Sequence, residues 1–484
     1  MDLKRAKRFL ISLGVVYWML VVMIYFLAGE RFHYTTVSSG ALSPVSVVSG
    51  LTDGMELHQQ MTVPTDRLEG ISLMSTFYGD ASQGALHMTL FNRDGQPVTE
   101  KWTAFSDLKN GKYTTIPLDT PVDGIRGQQV TLVIRAEGCA PDSSLAVYFG
   151  DTINVGRFDI AQSIPQEELF VFNGTPGAGK LCVKLNCIEI LQFYKTYWLI
   201  VGGLFVMAAV YAVIGYHRMK KGKNSAVAML CAMYVRYHFL IKQLVLRDFK
   251  TKYKRSVLGM AWSFLNPLLT MIVQYLVFSN LFNSDVPYYP VYLLSGIVFF
   301  NFFSEAVSMG MTSITSNASL IKKVYMPKYI FPVSKVLSSL VNFAIALIPL
   351  ILMTLFNGLS IRPAILLLVF DILCLLAFVI GMVLLLSTLM TFFQDTQFLW
   401  GVISMMWMYL TPLFYPETII PSQFLTLYHM NPMYQYITFA RICIIDGASP
   451  EPMAYLWCIV PSAIVLLLGI AVFKKHQDKF VLYL

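Results

Sequence analysis

Residues 9–28 read F-L-I-S-L-G-V-V-Y-W-M-L-V-V-M-I-Y-F-L-A, twenty positions without a charge, directly after M-D-L-K-R-A-K-R. A helix rises about 1.5 Å per residue, so this stretch covers the roughly 30 Å hydrocarbon core of a bilayer. The basic flank places the amino terminus in the cytoplasm, because Lys and Arg concentrate on that side of a membrane. A secretory signal peptide also begins with a basic region. Here, however, the apolar core is long, and G-E-R-F-H beyond it is a poor small-residue cleavage site. The stretch reads as an uncleaved span.

Composition agrees with a membrane reading. Of 484 residues 56% are hydrophobic and 13% charged, and the mean hydropathy is +0.59, too apolar for a soluble protein of this length. The net charge of +8 lies in short clusters beside apolar runs. That pattern fits the positive-inside rule and gives no aromatic-basic surface for nucleic acid. The seven cysteines form no C-x-x-C pair and have no His cluster beside them, which argues against a metal site or a disulfide scaffold. Cys182 and Cys187 fall at an odd separation on one expected strand, so they face opposite sides and are poorly placed to pair.

Between residues 34 and 192 the texture changes. I-S-L-M-S-T-F-Y, A-L-H-M-T-L-F-N, Y-T-T-I-P-L, Q-V-T-L-V-I-R-A and S-L-A-V-Y-F alternate at period two between D-G, N-G and G-D turn signals. Such spacing predicts an all-β sandwich, extracytoplasmic because it follows an outward span. Asn92–Gly95 and Lys109–Gly111 read as hairpin turns. One segment imitates a nucleotide site: in F-N-G-T-P-G-A-G-K-L-C-V, Gly174, Gly179 and Lys180 have the G-x-x-x-x-G-K spacing of a P-loop. Leu181 occupies the Ser/Thr position, and period-two alternation follows where that motif requires a helix. The loop therefore reads as turn chemistry between two strands.

A second span over 196–216 is closed by H-R-M-K-K-G-K. Six further apolar segments lie near 258–281, 289–309, 330–356, 363–390, 396–415 and 454–473. Their loops alternate between basic and poorly basic, which predicts about eight spans with both termini cytoplasmic. The expected fold is an α-helical polytopic membrane protein with an inserted β sandwich. Its parts are a first span (1–33), the sandwich (34–192), a second span (193–222), an interfacial helix (223–256) and a six-helix membrane domain (257–484). Between Tyr415 and Pro452 the chain is apolar but interrupted by Pro416, Pro421, Pro432 and Gly447, so it is not one straight span.

Residues 232–255 are periodic without being apolar enough to span. Arg236, Gln243, Arg247, Lys250 and Lys254 share one helical face, with Val235, Phe239, Leu246, Phe249 and Tyr253 beside it. This predicts a helix along the inner leaflet, its cations near anionic headgroups. On these residues alone a gate and a plain connector are equally open. The wording then narrows the choice. L-V-L-R-D-F-K-T-K-Y-K-R-S-V-L-G-M-A-W-S-F-L-N-P-L (244–268), N-A-S-L-I-K-K-V-Y-M-P-K-Y-I-F-P-V (317–333), Y-L-T-P-L-F-Y-P-E-T-I-I-P (409–421) and H-M-N-P-M-Y-Q-Y-I-T-F-A-R (429–441) resemble the permeases of type-2 ABC exporters that move teichoic acids, O-antigens and capsular polysaccharides. The resemblance covers roughly residues 232–484.

It implies a gate helix at which Arg247, Asp248, Lys250, Tyr253 and Arg255 meet the pyrophosphate of a lipid-linked substrate. It also implies a coupling helix carrying Asn317, Leu320, Ile321, Lys322, Lys323, Tyr325, Pro327 and Lys328, and an outer re-entrant gate near 416–447. Trp262, Tyr275, Phe299, Phe303, Glu305, Asp371, Tyr415 and Arg441 are the conduit and outer-gate candidates, Arg441 paired with Glu417 or Asp446. The aromatic residues also suit interfacial belts, and Glu305 and Asp371 also suit hydrogen bonds between helices. The β region is similar to carbohydrate-binding jelly rolls, with Tyr78, Trp102 and Tyr148 as sugar-platform candidates. Implied with this is a homodimer in the cytoplasmic membrane of a bacterium, working with two ABC ATPase subunits that bind ATP and Mg²⁺. The chain itself is expected to carry no cofactor, no metal and no catalytic residue, and to bind no nucleic acid. The alternatives are a type-2 exporter of a small lipid or drug, and a membrane-anchored glycan-binding protein that transports nothing.

Overall fold

A computed structural model describes residues 3–28, 34–38, 44–79, 84–139, 143–150, 152–155, 160–163, 169–190, 192–221, 226–254, 257–282, 286–324 and 326–484. The chain divides into two units, His33–Tyr194 and Met1–Phe32 with Lys195–Leu484.

The first unit is antiparallel β structure. Its strands are β1 (Tyr34–Ser38), β2 (Ser46–Leu51), β3 (Glu56–Thr62), β4 (Arg67–Tyr78), β5 (Ala85–Phe91), β6 (Pro97–Ala104), β7 (Lys112–Asp123), β8 (Gln129–Glu137), β9 (Ser144–Gly150), β10 (Thr152–Val155), β11 (Ile160–Ser163), β12 (Val171–Phe172), β13 (Thr175–Pro176), β14 (Lys180–Leu181) and β15 (Val183–Ile190). Among the described residues one sheet has seven strands, ordered β1-β15-β4-β9-β14 with β2 beside β9 and β7 beside β4. A second has six, ordered β13-β12-β3-β8-β5-β6, and β10 and β11 form a two-stranded sheet of their own. Leu68, Ile71, Leu73, Leu145, Val183 and Leu185 of the first sheet share one buried cluster with Leu57, Met61, Leu86, Met88, Leu90, Leu132 and Ile134 of the second. Side chains alternate faces along a strand, so every second residue of both sheets fills this core, the arrangement of a β sandwich.

The Asn92–Gly95 turn joins β5 to β6 as expected. Asn92 Oδ1 accepts from the amides of Asp94 at 3.0 Å and Gln96 at 2.8 Å, and Gly95 takes a positive φ of 75°, costly for residues with a Cβ. Lys109–Gly111 differs from the expectation of a hairpin. It leads from β6, paired with β5, into β7, paired with β4 in the other sheet, so the turn is a crossover. Alternation marks strands but is silent about which sheet receives the next one.

The P-loop look-alike is also resolved. Val171–Phe172 and Thr175–Pro176 form a tight hairpin through Asn173 (φ 47°) and Gly174 (φ 81°), and Lys180 opens β14 opposite Gly150. A Cβ on Gly179 would lie 2.4 Å from the Gly150 carbonyl oxygen. That glycine is there for strand contact. Cys182 and Cys187 are both buried free thiols.

The second unit is helical. Its helices are α1 (Leu3–Leu27), α2 (Gln192–Lys220), α3 (Ala226–Val235), α4 (His238–Tyr253), α5 (Ala261–Phe282), α6 (Tyr289–Met311), α7 (Ser313–Ser316), α8 (Ala318–Lys323), α9 (Ile330–Phe356), α10 (Leu368–Phe392), α11 (Thr396–Tyr409), α12 (Ser422–His429), α13 (Pro432–Arg441), α14 (Pro452–His476) and α15 (Phe480–Tyr483). Among the described residues seven helical stretches are long and apolar enough to cross a membrane: α1, Thr196–Lys220, Ala261–Ser279, α6, α9, Pro363–Phe392 and Pro452–Tyr483. The eighth expected span, 396–415, contains the 14-residue α11. At about 1.5 Å per residue it reaches about 21 Å, short of a hydrocarbon core, before the chain turns at Thr411–Pro412.

α6 is the most enclosed of the spans, packed against α5, α9 and α10. α1 and α2 leave Met19, Leu199 and Met207 exposed, as lipid contact requires. They are joined by two hydroxyls that donate to the facing helix, Tyr17 to Val201 O and Tyr197 to Val21 O, both at 2.9 Å. α10 and α14 approach almost backbone to backbone. A Cβ on Gly381 would meet Val465 O at 2.5 Å, and one on Gly469 would meet Gly381 O at 2.4 Å, a close approach that small residues permit in membranes.

The region 232–255 is two helices, broken at Arg236–Tyr237. The buried face of α4 is Ile241, Leu244 and Asp248, while Phe239 is 65% exposed and Leu246 40%. Phe239 and Leu246 of the expected apolar face are therefore outward, while Phe249 and Tyr253 are half-buried. A helix packed on protein through one stripe and bathed in lipid along another has two apolar faces, and periodicity cannot rank them.

Candidate functional site

α4, α5, α6 and α9 enclose a cleft of about 180 Å³. Its polar wall is a connected set of side chains. Lys252 Nζ lies 2.8 Å from Glu305 Oε1, and Asn342 Nδ2 donates to the same oxygen at 2.7 Å. The Tyr253 hydroxyl donates to Asn342 Oδ1 at 3.1 Å and is in hydrogen-bond contact with Ser263 Oγ. Trp262, Asn266 and Asn301 complete the lining with Phe302 and Phe343. Pro267, inside α5, has no N–H to give the carbonyl of Ser263 one turn earlier, so backbone acceptor capacity opens at the same place. The cleft combines hydrogen-bonding groups, one cation and one carboxylate with flat aromatic walls. Those groups suit a hydroxylated substrate that carries an apolar or anionic part.

The structure brings Tyr253, Trp262 and Glu305 to this one place, although the sequence reading assigned the first to the entrance and the others to the conduit. It adds Lys252 and Asn342, which that reading missed. No signal within α4 marks Lys252, whose side chain is 37% exposed, because its partner Glu305 arrives from α6. Arg247 and Lys250 are exposed, and Arg255 lies outside the described residues. Asp248 has a different part. It is buried against Lys335 of α9, Nζ to Oδ2 2.9 Å, with Arg247 Nη2 3.0 Å from Oδ1, so it ties α4 to the bundle.

The six-residue α8 carries Leu320, Ile321, Lys322 and Lys323 of the expected coupling set. Ile321 is buried, and Leu320 packs against the same apolar cluster. Lys322 and Lys323 are exposed, and Asn317 Nδ2 donates to Ser313 O at 2.8 Å. Pro327 precedes Lys328, whose ammonium donates to Gln477 O at 2.5 Å and lies 5.9 Å from the Phe480 ring centroid. Tyr325 lies outside the described residues. One cluster unites Ile241 and Leu244 of α4, Ile321 of α8, Leu384 of α10, Phe473 of α14 and Phe480 of α15. The helix at the cleft and the helix expected to meet an ATPase thus share a hydrophobic floor.

The interrupted segment after α11 has its carbonyls capped by side chains. Arg441 Nη1 donates to Pro412 O at 2.9 Å, and Nη2 to Tyr292 O and Leu413 O, both at 3.1 Å. The guanidinium carbon stands 3.4 Å from the Tyr292 ring centroid. The Tyr289 hydroxyl donates to Phe414 O at 2.7 Å and that of Tyr292 to Tyr415 O at 2.9 Å. Backbone that leaves a helix needs such partners away from water. Arg441 pairs with neither Glu417 nor Asp446, contrary to expectation. Glu417 instead accepts from the Tyr434 hydroxyl at 2.6 Å and lies 3.2 Å from His429 Nε2. A planar five-donor fork is better matched by several carbonyls than by one carboxylate at the rim. Tyr415 donates to Tyr409 O at 2.7 Å.

Of the remaining conduit candidates, Phe299 and Phe303 are fully buried, packed edge-on against Phe343 and Trp407 respectively. Tyr275 stands 6.1 Å from Tyr289. Asp371 is buried in α10 with Cys458 Sγ 3.9 Å from Oδ1, away from the cleft lining. In the β unit, Tyr78 and Tyr148 belong to the seven-stranded sheet and Trp102 to the six-stranded one, so the three form no common platform.

Residues 239–445 match the family model described as "ABC-2 type transporter". An O-antigen export system permease protein, RfbA, of Myxococcus xanthus is 26% identical over 50% of this chain and 95% of its own length. One of the same name from Klebsiella pneumoniae is 29% identical over 48% and 90%. The polysialic acid transport protein KpsM of Escherichia coli is 20% identical over 49% and 93%. Among solved structures, one of infectious bursal disease virus (Gx strain) is similar over 33% of this chain and 37% of its own, at 14% identity and a TM-score of 0.16, too slight a likeness to carry an argument. The matched span holds the cleft, α8 and the capped outer segment together. Residues 239–445 of this multi-pass membrane chain thus carry an ABC-2 type transporter domain, and the chain is similar there to permeases of O-antigen and polysialic acid export.

Proposed function

We propose that the chain is one half of a homodimeric permease that exports a lipid-linked polysaccharide, powered by separate ATPase subunits docked at Asn317–Lys328. The observation that carries this reading is the cleft: Lys252, Tyr253, Glu305 and Asn342 form a polar site at the end of a cationic helix whose outward face is apolar. An amphipathic helix of this kind lies at headgroup level, where Arg247 and Lys250 meet a pyrophosphate by charge-assisted hydrogen bonds. The sugar chain follows into the cleft, its C–H faces against Trp262 and Phe302 and its hydroxyls on Asn342 and Glu305. The basic flanks of α1 and α2 support cytoplasmic termini and an extracytoplasmic β unit.

The test is reconstitution in proteoliposomes. Alone, the chain is expected not to hydrolyse ATP. With its ATPase, turnover rises on addition of undecaprenyl-linked glycan, and Lys252→Ala reduces that stimulation. Appreciable hydrolysis by the chain alone refutes the division of labour. Mass spectrometry of co-purified lipid separates the proposal from export of a small lipid or drug, which predicts no glycolipid.

A further inference from the structure

We propose that the outer face of the six-stranded sheet binds a neutral polysaccharide chain, with Trp102 as the stacking platform and Glu56, Glu100, Arg135 and Glu137 as hydrogen-bonding groups around it. This rests on the transport reading, because the glycan held there is taken to be the exported polymer.

Trp102 is 51% exposed, yet its ring is not free to turn. It lies flat on the His87 ring, centroids 4.1 Å apart and planes within 7°. One indole face is thus occupied and the other open. His87 is only 8% exposed. Its Nδ1 is 3.5 Å from Glu137 Oε1 and its Nε2 is 3.8 Å from Glu100 Oε2, with Thr89 Oγ1 3.3 Å from Nε2. Nδ1 makes no well-directed hydrogen bond, a buried polar atom of the kind that normally finds a partner.

The register sets these groups in a row. Trp102 of β6 is opposite His87 of β5, His87 is opposite Arg135 of β8, and Arg135 is opposite Glu56 of β3. Three strand spacings make the row about 14 Å long. At its far end Arg135 Nη2 is 2.6 Å from Glu56 Oε1, and Glu56 Oε2 is 2.9 Å from His58 Nε2.

A single exposed aromatic face among ionised side chains suits a sugar. The C–H face of a pyranose covers the ring, and its hydroxyls both donate to carboxylates and accept from a guanidinium. A protein partner calls for a broader apolar patch. The charge balance narrows the glycan further. Three carboxylates face one guanidinium, so chains bearing sialate, uronate or phosphate meet repulsion. Neutral hexose or deoxyhexose chains do not.

The experiment uses the full chain in nanodiscs, without ATPase, and neutral oligosaccharides from mannan, galactan and rhamnan beside oligomers of polysialic acid and polygalacturonate. Saturation-transfer NMR and tryptophan fluorescence read binding. At least one neutral probe is expected to bind, Trp102→Ala to weaken it tenfold or more, and Trp102→Phe to weaken it less than Ala does. Glu100→Gln with Glu137→Gln is expected to admit the acidic oligomers, a readout that does not depend on Trp102→Ala folding. No neutral binder, tight binding of the acidic probes by the unaltered chain, or equal binding by Trp102→Ala overturns the proposal. Because no transport is measured, a null here leaves the export assay standing, and a null there leaves this binding intact.

Discussion

Replacing Arg441 by Met keeps much of the side-chain length and removes every donor. Leu413 O then loses its side-chain donor, while Pro412 O keeps the Tyr292 hydroxyl at 3.3 Å and Tyr292 O keeps the Ser295 hydroxyl at 2.9 Å, in a place where water is scarce. A hydrogen bond to a charged group contributes about 1.5–3 kcal/mol, and an abandoned buried acceptor costs about 1–3 kcal/mol. Two of the three acceptors keep a neutral donor and the segment relaxes, so a loss of about 3 kcal/mol is expected, roughly a hundredfold in the unfolding equilibrium. Tyr289→Phe, which removes one neutral donor to Phe414 O, should cost only about 1 kcal/mol. Equilibrium unfolding in mixed micelles under SDS titration measures both, and proteolysis between Tyr415 and Pro421 reports where the chain opens. The cation–ring contact at 3.4 Å adds a second requirement. Arg441→Met and Tyr292→Leu should be non-additive by about 1–2 kcal/mol in a double-mutant cycle. A cost below about 1 kcal/mol for Arg441→Met, or strict additivity, refutes the reasoning that this side chain holds the broken segment in place.

Three further outcomes are expected. Glu305→Gln should leave the melting temperature nearly unchanged, since a part-exposed ion pair contributes about 0–1 kcal/mol, while export falls several-fold; equal export in a cell-surface glycan assay counts against the cleft. Phe480→Ala should cost about 3–5 kcal/mol through the cavity it leaves and weaken glycolipid stimulation of ATP turnover in the reconstituted complex more than it weakens ATPase binding; unaltered stimulation disconnects α15 from coupling. In the β unit, His58 first and Arg135 second hold the Glu56 carboxyl below the ordinary carboxylate range, so its contribution is present above that range and lost as pH falls through the lowered value. Glu56→Gln should therefore destabilise the unit near neutrality and flatten its decline in acid, seen in melting temperature against pH; parallel curves for the two proteins remove Glu56 from the account.

The strands were legible because alternation is local: Q-V-T-L-V-I-R-A is β8 but for Glu137, and I-S-L-M-S-T-F-Y is the part of β4 from Ile71 onward. The interruptions at Pro421, Pro432 and Gly447 were legible for the same reason, since Pro421 and Pro432 stand where α12 and α13 begin and Gly447 at φ 60° closes the turn after α13. The partners of charged side chains were not. Nothing within α4 distinguishes Lys252 from Lys250, and only the arrival of Glu305 from α6 does so. Asp248 read as a substrate contact because Lys335 is 87 positions away in sequence. Arg441 read as half of an ion pair because carboxylates are visible in a sequence and the carbonyls of a turned segment are not.

The Gly381–Gly469 crossing bears on how such a permease can move. Where a methyl group would strike backbone, neither helix can slide or roll past the other without first separating, so α10 and α14 behave as one rigid chassis. The cleft is walled by α4, α5, α6 and α9, none of them part of that pair, and of its three spans α5 is the least buried. Under the proposed coupling, work delivered through α8 would open the cleft by moving its own walls, and a ligand wedged between α5 and α9 would block that opening without touching the α10–α14 pair.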